Sequence, residues 1–300
     1  MASLDDLNAR FAVDGVAFEA GFGGLPRAVI RTAACEADVY LHGAHVTHFQ
    51  PAGHKPVLFL SGHSAFVPER PIRGGVPIIF PWFGPLQGAP DAPLHGVVRA
   101  MEWEVEDVRR HVDSVTISFR LAPETLPHDA WPGRCALRYE VTAGVSLRLS
   151  LRVENQGEAP LRFEEALHTY FAVGDARQID IEGLQNARFL DKTDNFAEKT
   201  QLERELRLSG ETDRVYQGTD ATCVIHDEAN ARRIVVAKEN SRATVVWNPW
   251  SHKAAALPDF GDAEWLNMVC VETCNVLDSA VELWHGEAHE MAADIAVENV

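Results

Sequence analysis

From Ala28 onward, short runs of apolar and polar residues alternate and are cut by Gly, Pro, Asn or Asp. This period of two most constrains the fold, because only a strand sends successive side chains to opposite faces. EWEVEDVRR and SVTISFRLA alternate about a turn at Asp113, and ALRYEVTAG and VSLRLSLRVEN do so about a hairpin at Gly144. In the last run Leu147, Leu149 and Leu151 share one face and Arg148 and Arg152 the other. AVIRTA, DVYLHG and HVTHFQP are short β-rich runs broken by Gly and Pro, PVLFLS follows with apolar continuity, and LRFEEALHTYFAVGD, RQIDIEG, CVIHDEA, RRIVVAKEN, ATVVWNPW, WLNMVCVETCNV and AVELWHGEAHEMAADIAVE continue the alternation. Helix is confined to Leu4–Phe11 and His252–Ala256, with Asp191–Glu205 ambiguous. No linker, charge block or repeat divides residues 1–300. The pattern predicts one all-β domain, a large antiparallel β-sandwich with few short helices; barrels and cupin-like rolls share the signal.

One stretch breaks the alternation. Pro68–Arg99, PERPIRGGVPIIFPWFGPLQGAPDAPLHGVVR, holds seven prolines. Proline fixes φ and removes an amide donor, so this density forbids a helix and disfavours an interior strand. The Gly74-Gly75 pair supplies freedom where the chain turns or presses close to something. An ordered loop this long is usually functional. It carries Arg73, His95 and Arg99 on stiff irregular backbone, where ligands are commonly gripped.

Charge narrows the partners. The formal net charge is −17 and the pI about 5.1, which argues against nucleic acid and anionic membrane surfaces. Against that background an arginine cluster stands out as an anion site. MASLDDLNARF lacks the basic start and apolar run of a signal peptide, and no stretch is apolar enough to span a bilayer. Five cysteines without paired spacing fit a reducing compartment. The expectation is a cytoplasmic protein.

Two strands carry a polar group where an apolar one is expected. His168 shares a face with Ala166 and Tyr170, and Glu272 with Cys270, Cys274 and Val276. A buried carboxylate needs a partner or a function. Glu272 reads as a structural ion-pair partner or a general base, and His168 as a satisfied core histidine or a general acid. Spacing alone does not bring them together. His42, His45 and His48 suggest a metal, but 42 and 48 share a strand face that 45 does not. HExxH, CxxC, GxGxxG, GxxxxGK[ST] and GxSxG are all absent, so neither metal, nucleotide nor serine-nucleophile chemistry is expected. Trp82, Trp131, Trp247 and Trp250 lie near turns and are either core or sugar-stacking platforms.

PIRGGVPIIFPWFGP, LHGVVRAMEWEV, ALHTYFAVGD, GETDRVY and CVETCNV, in that order, resemble the glucose-6-phosphate 1-epimerase (hexose-6-phosphate mutarotase) group of the aldose 1-epimerase, galactose mutarotase-like, superfamily. The resemblance spans about residues 30–290. It implies a supersandwich with the site on one sheet face, no metal and no organic cofactor, and a monomer whose partner is a small sugar phosphate. By position in these motifs it implies His168 as general acid and Glu272 as general base. Arg73, Arg99 and Asp213 become substrate-binding residues, with phosphate the target of the arginines, and His95 a second histidine near the ring oxygen. Trp82 and Trp131 are the aromatics to test for stacking, and Lys55 and Lys192 are further candidates for the phosphate. Leu94 stands where the group often has Gln.

The implied reaction is anomer exchange of a hexose 6-phosphate. The alternatives are exchange of free aldoses, or sugar binding without catalysis. Acid–base ring opening calls for an ionised Glu272 and a protonated His168, with Glu164 and Glu165 as acidic neighbours of the imidazole.

Overall fold

A computed structural model describes residues 2–126 and 131–300. Its strands form antiparallel ladders in two large sheets. The nine-stranded sheet runs from Leu206–Arg207 through Ile179–Glu182, Cys223–Asp227, Arg232–Glu239, Ala288–Asn299, Leu147–Asn155, Cys135–Ala143 and Val115–Leu121 to Glu104–Arg110. The eight-stranded sheet carries the site. Five of its strands are β1 (Glu165–Leu167), β2 (Tyr170–Ala172), β3 (Thr212–Gln217), β4 (Ala243–Asn248) and β5 (Met268–Asn275). Its spatial order sets β3 beside β4, β4 beside β5, and both β1 and β2 against β5. Val16–Pro51 adds a four-stranded meander.

Alternation decides what each face buries. Leu147, Leu149, Leu151 and Val153 are buried in the main core, while Arg148 on the other face reaches Glu239 and Asp294. That core lies between the two large sheets. It takes Val246, Val269, Val271, Leu167 and Phe171 from the eight-stranded sheet. The opposite face of that sheet carries a second cluster that includes Ala166, Tyr170, Val215, Val245, Trp247, Cys270 and Cys274. One face of this sheet is taken up by the main core, which leaves the other for chemistry. The β-sandwich with few helices is as expected.

Helix Leu4–Phe11 forms as expected, closed by a Ser3–Asp6 capping box. The second helix is Trp250–Ala255 and starts two residues before the expected His252. Asp191–Glu205 is not helical: a strand ends at Asp191, Lys192–Asp194 makes one 3₁₀ turn, and Ala197–Thr200 is a strand. PVLFLS forms only isolated bridges at Leu58 and Leu60. Val57 N–H goes to Phe49 and Phe59 N–H to Tyr170, so its donors serve two neighbours and no ladder grows. LRFEEALHTYF divides into Leu161–Phe163, β1 and β2. The amides at its breaks are recruited by the proline-rich loop, Glu164 N–H to Pro81 and His168 N–H to Pro77.

Candidate active site

The ladder itself joins the two chemical residues. Leu167 faces Thr273 and Tyr170 faces Cys270. Continuing that count across the break between β1 and β2 sets His168 opposite Glu272. Cross-strand partners share a face, and the side chains meet with His168 Nε2 3.3 Å from Glu272 Oε1. Both are buried, 8% and 1% exposed, and His168 Nδ1 and Glu272 Oε2 have no protein partner among the described residues. On the same face Asp213 of β3 lies opposite Trp247 of β4, which lies opposite Cys270.

The loop supplies the cations. Gly74 and Gly75 have φ of +111° and +59°, and a Cβ on Gly75 would sit 2.2 Å from the Val46 carbonyl oxygen. The Gly75 carbonyl accepts the Tyr170 N–H at 2.9 Å, which seats Arg73 beside β2. Arg73 donates through Nη1 to the Tyr170 hydroxyl (3.0 Å) and pairs through Nη2 with Asp259 (3.2 Å). Arg99 donates to the Leu94 carbonyl (2.6 Å) and meets no carboxylate at ion-pair distance among the described residues. Lys192 pairs with Asp213 at 3.1 Å and lies over the Phe83 ring. Lys55 instead donates to Asn230.

The charges in this cluster push one another. Burial holds the His95 imidazole down to about 3, aided by Arg99, Lys192 and Arg73. His95 Nδ1 accepts the Gly84 N–H at 3.3 Å, so the neutral ring carries its proton on Nε2 and is a donor. Burial also drives His168 well below the ordinary imidazole range, with His95, Arg99 and Arg73 acting in the same direction. Glu272 is raised well above the carboxylate range by burial and by Asp213, against the pull of Lys192 and Arg99. The expected ionised pair is therefore not what this site favours on its own. Burial disfavours charge on both members, and one proton sits on the pair in either description. Arg99 itself is pushed down to about 10 by burial and Arg73.

The acidic neighbours expected of His168 serve elsewhere. Glu164 accepts the Phe83 and Leu277 amides, and Glu165 is bound by Asn275 and His289. Trp82 is buried and donates its indole N–H to Pro93, while Trp131 packs edge-on against Phe80. Both line a neighbouring hollow that shares Phe83 and Lys192 with the site. The rings that meet the His168 imidazole are Tyr170, stacked at 4.9 Å, and His95 and Trp247, both edge-on. Sequence reasoning did not single out Tyr170 or Asp259 for the site. Tyr170 could have been found as the polar neighbour at i+2 from His168, but Asp259 had no signal. His42 and His45 are structural, bonded to the Arg70 and Gly74 carbonyls. No group of three or more His, Cys, Asp or Glu with metal-holding geometry occurs among the described residues.

Comparison with known proteins adds independent weight. The aldose 1-epimerase family model matches residues 26–294. A Cenchrus ciliaris protein with the provisional name glucose-6-phosphate 1-epimerase is 35% identical over 279 residues, covering 88% of this chain and 82% of its own. An Escherichia coli protein of the same provisional name is 35% identical over 240 residues, 79% of each chain. The crystal structure of a provisionally named mutarotase from Salmonella typhimurium superposes with a TM-score of 0.89 at 28% identity, covering 96% of this chain and 95% of that one. A match of this length, on a sandwich that buries His168 against Glu272, has one reading: the chain belongs to the aldose 1-epimerase family of isomerases.

Proposed function

We propose that the protein interconverts the α and β anomers of a hexose 6-phosphate, glucose 6-phosphate foremost, with His168 and Glu272 as the acid–base pair. The observation that carries this reading is their 3.3 Å approach on the spare face of the eight-stranded sheet. The two oxygens on the anomeric carbon are adjacent, so groups this close can serve both at once. One member takes the proton from the C1 hydroxyl while the other gives one to the ring oxygen; the C1–O5 bond breaks and the aldehyde forms. Rotation about C1–C2 and return of both protons closes the ring on the other face. Each proton transfer contributes about 10²–10⁴-fold. A bound sugar that hydrogen-bonds the carboxylate, together with an anionic phosphate, favours the form with Glu272 ionised and His168 protonated.

Arg99, partly buried and without a carboxylate partner among the described residues, is the phosphate residue of this proposal, with Lys192 a second cation and Asp213 and neutral His95 left for hydroxyls. Arg73 is already held by Asp259, which leaves one uncommitted guanidinium and keeps exchange of free aldoses as a second reading. The name shared by the two protein relatives favours the phosphorylated sugar. We further propose that residues 1–300 fold as one unit, since one apolar cluster runs from Leu7 to Ile295, and that it works as a cytoplasmic monomer, its five buried thiols being free.

Saturation-exchange NMR of glucose 6-phosphate anomers tests the assignment. Glu272→Gln abolishes exchange and leaves sugar-phosphate affinity within about tenfold, because it removes proton transfer but keeps the shape. Near-normal turnover by that variant would overturn the roles.

A further inference from the structure

An acid–base histidine is ordinarily oriented by a hydrogen bond to its second ring nitrogen. Among the described residues His168 has none: Nδ1 is buried without a protein partner there. What holds the ring is a face. The Tyr170 phenol lies 4.9 Å away and 13° from parallel, with Trp247 edge-on to both rings at 6.1 and 5.9 Å. The phenol is fixed in turn. Its oxygen accepts Arg73 Nη1–H at 3.0 Å, and Arg73 Nη2 is 3.2 Å from Asp259. Phe59 stacks on Tyr170, and Phe260, next to Asp259, packs against Phe59. Residues 259 and 260 thus reach Tyr170 by a polar and an apolar route.

We propose that Asp259 is a positioning residue for the reaction. Through Arg73 it fixes the Tyr170 ring, and the ring sets the angle at which the His168 imidazole meets Glu272 and the sugar. The inference rests on the acid–base reading of His168 and Glu272, and it moves Arg73 from the phosphate to the imidazole. Misplacement by a fraction of an ångström at a proton-transfer group is felt in turnover rather than in binding.

The test compares Asp259→Asn and Tyr170→Phe with the unaltered protein on glucose 6-phosphate and on glucose. Each lowers kcat about tenfold on both sugars with KM within about threefold, and Asp259→Glu restores part of the loss. Because the residues act in series, the double variant loses no more than the worse single one. Nitrogen-15 spectra of the imidazoles add a readout apart from turnover: Asp259→Asn shifts the His168 ring signals. A raised KM with unchanged kcat, a loss confined to the phosphorylated sugar, additive losses or unshifted ring signals would each overturn the proposal. Tyr170→Phe keeps ring and volume, so it gives the answer if the Asp259 variants do not fold. Normal exchange by Glu272→Gln would sink the acid–base reading, while the ring signals still report whether Asp259 orients His168.

Discussion

Arg99 illustrates how far a single residue can be read. Its place in HGVVR marked it for an anion, and among the described residues the fold leaves it without a carboxylate while giving Arg73, from the same loop, to Asp259. Removing a charged donor from its ligand costs about 1.5–3 kcal/mol. Arg99→Ala therefore lowers kcat/KM for glucose 6-phosphate by that amount and leaves free glucose nearly unchanged, in a side-by-side exchange assay. Equal losses on both sugars would take the guanidinium away from the phosphate. His168 and Glu272 were legible as polar residues on strand faces, because alternation exposes an exception. Their protonation was not, because it depends on burial and on charged groups brought in from other segments, Arg99 and Arg73 for His168 and Asp213, Lys192 and Arg99 for Glu272. The indoles of Trp82 and Trp131 drew attention by type, and they line a hollow beside the site; composition does not say which way an aromatic ring faces.

The proline-rich loop is the element that turns a sandwich into a site. Its carbonyls take the amides of Glu164 and His168, and this divides what reads as one strand into pieces and leaves His168 at the break. Gly75 is a tight part of that fit, at φ +59° with the Val46 carbonyl oxygen 2.2 Å from where a Cβ would be. A left-handed non-glycine residue under such a clash costs about 1–3 kcal/mol. Gly75→Ala lowers unfolding free energy by that amount in urea titration and depresses exchange, since the Gly75 carbonyl holds the Tyr170 amide; unchanged stability would show that the loop has slack. The strands at Ala197–Thr200 and the missing strand at PVLFLS share one cause. Local pattern states what a segment prefers, while the ladder needs a neighbour with free donors and acceptors.

At the scale of the molecule, one buried arginine ties the sheets together. Arg232, on the nine-stranded sheet, is 3% exposed. It pairs with Asp227 at 3.1 Å and donates to the carbonyls of Lys55, Pro56 and, on β2, Ala172. Arg232→Met strands a buried carboxylate and three carbonyls, so unfolding free energy falls by about 3–5 kcal/mol in calorimetry or denaturant titration; a loss below about 1 kcal/mol would mean that water replaces the guanidinium. The overall charge of −17 makes the local cations matter, because a sugar phosphate meets repulsion everywhere else. Residue order by itself determined the all-β class, most strand limits and the polar exceptions at His168 and Glu272, because side-chain alternation is a local property of a strand. Only the tertiary structure decided that these two residues meet, that Arg73 belongs to Asp259 and Tyr170 while Arg99 meets no carboxylate among the described residues, and that Lys192 reaches the site. Those are contacts between segments far apart in the chain, set by sheet order and register, which no local pattern encodes.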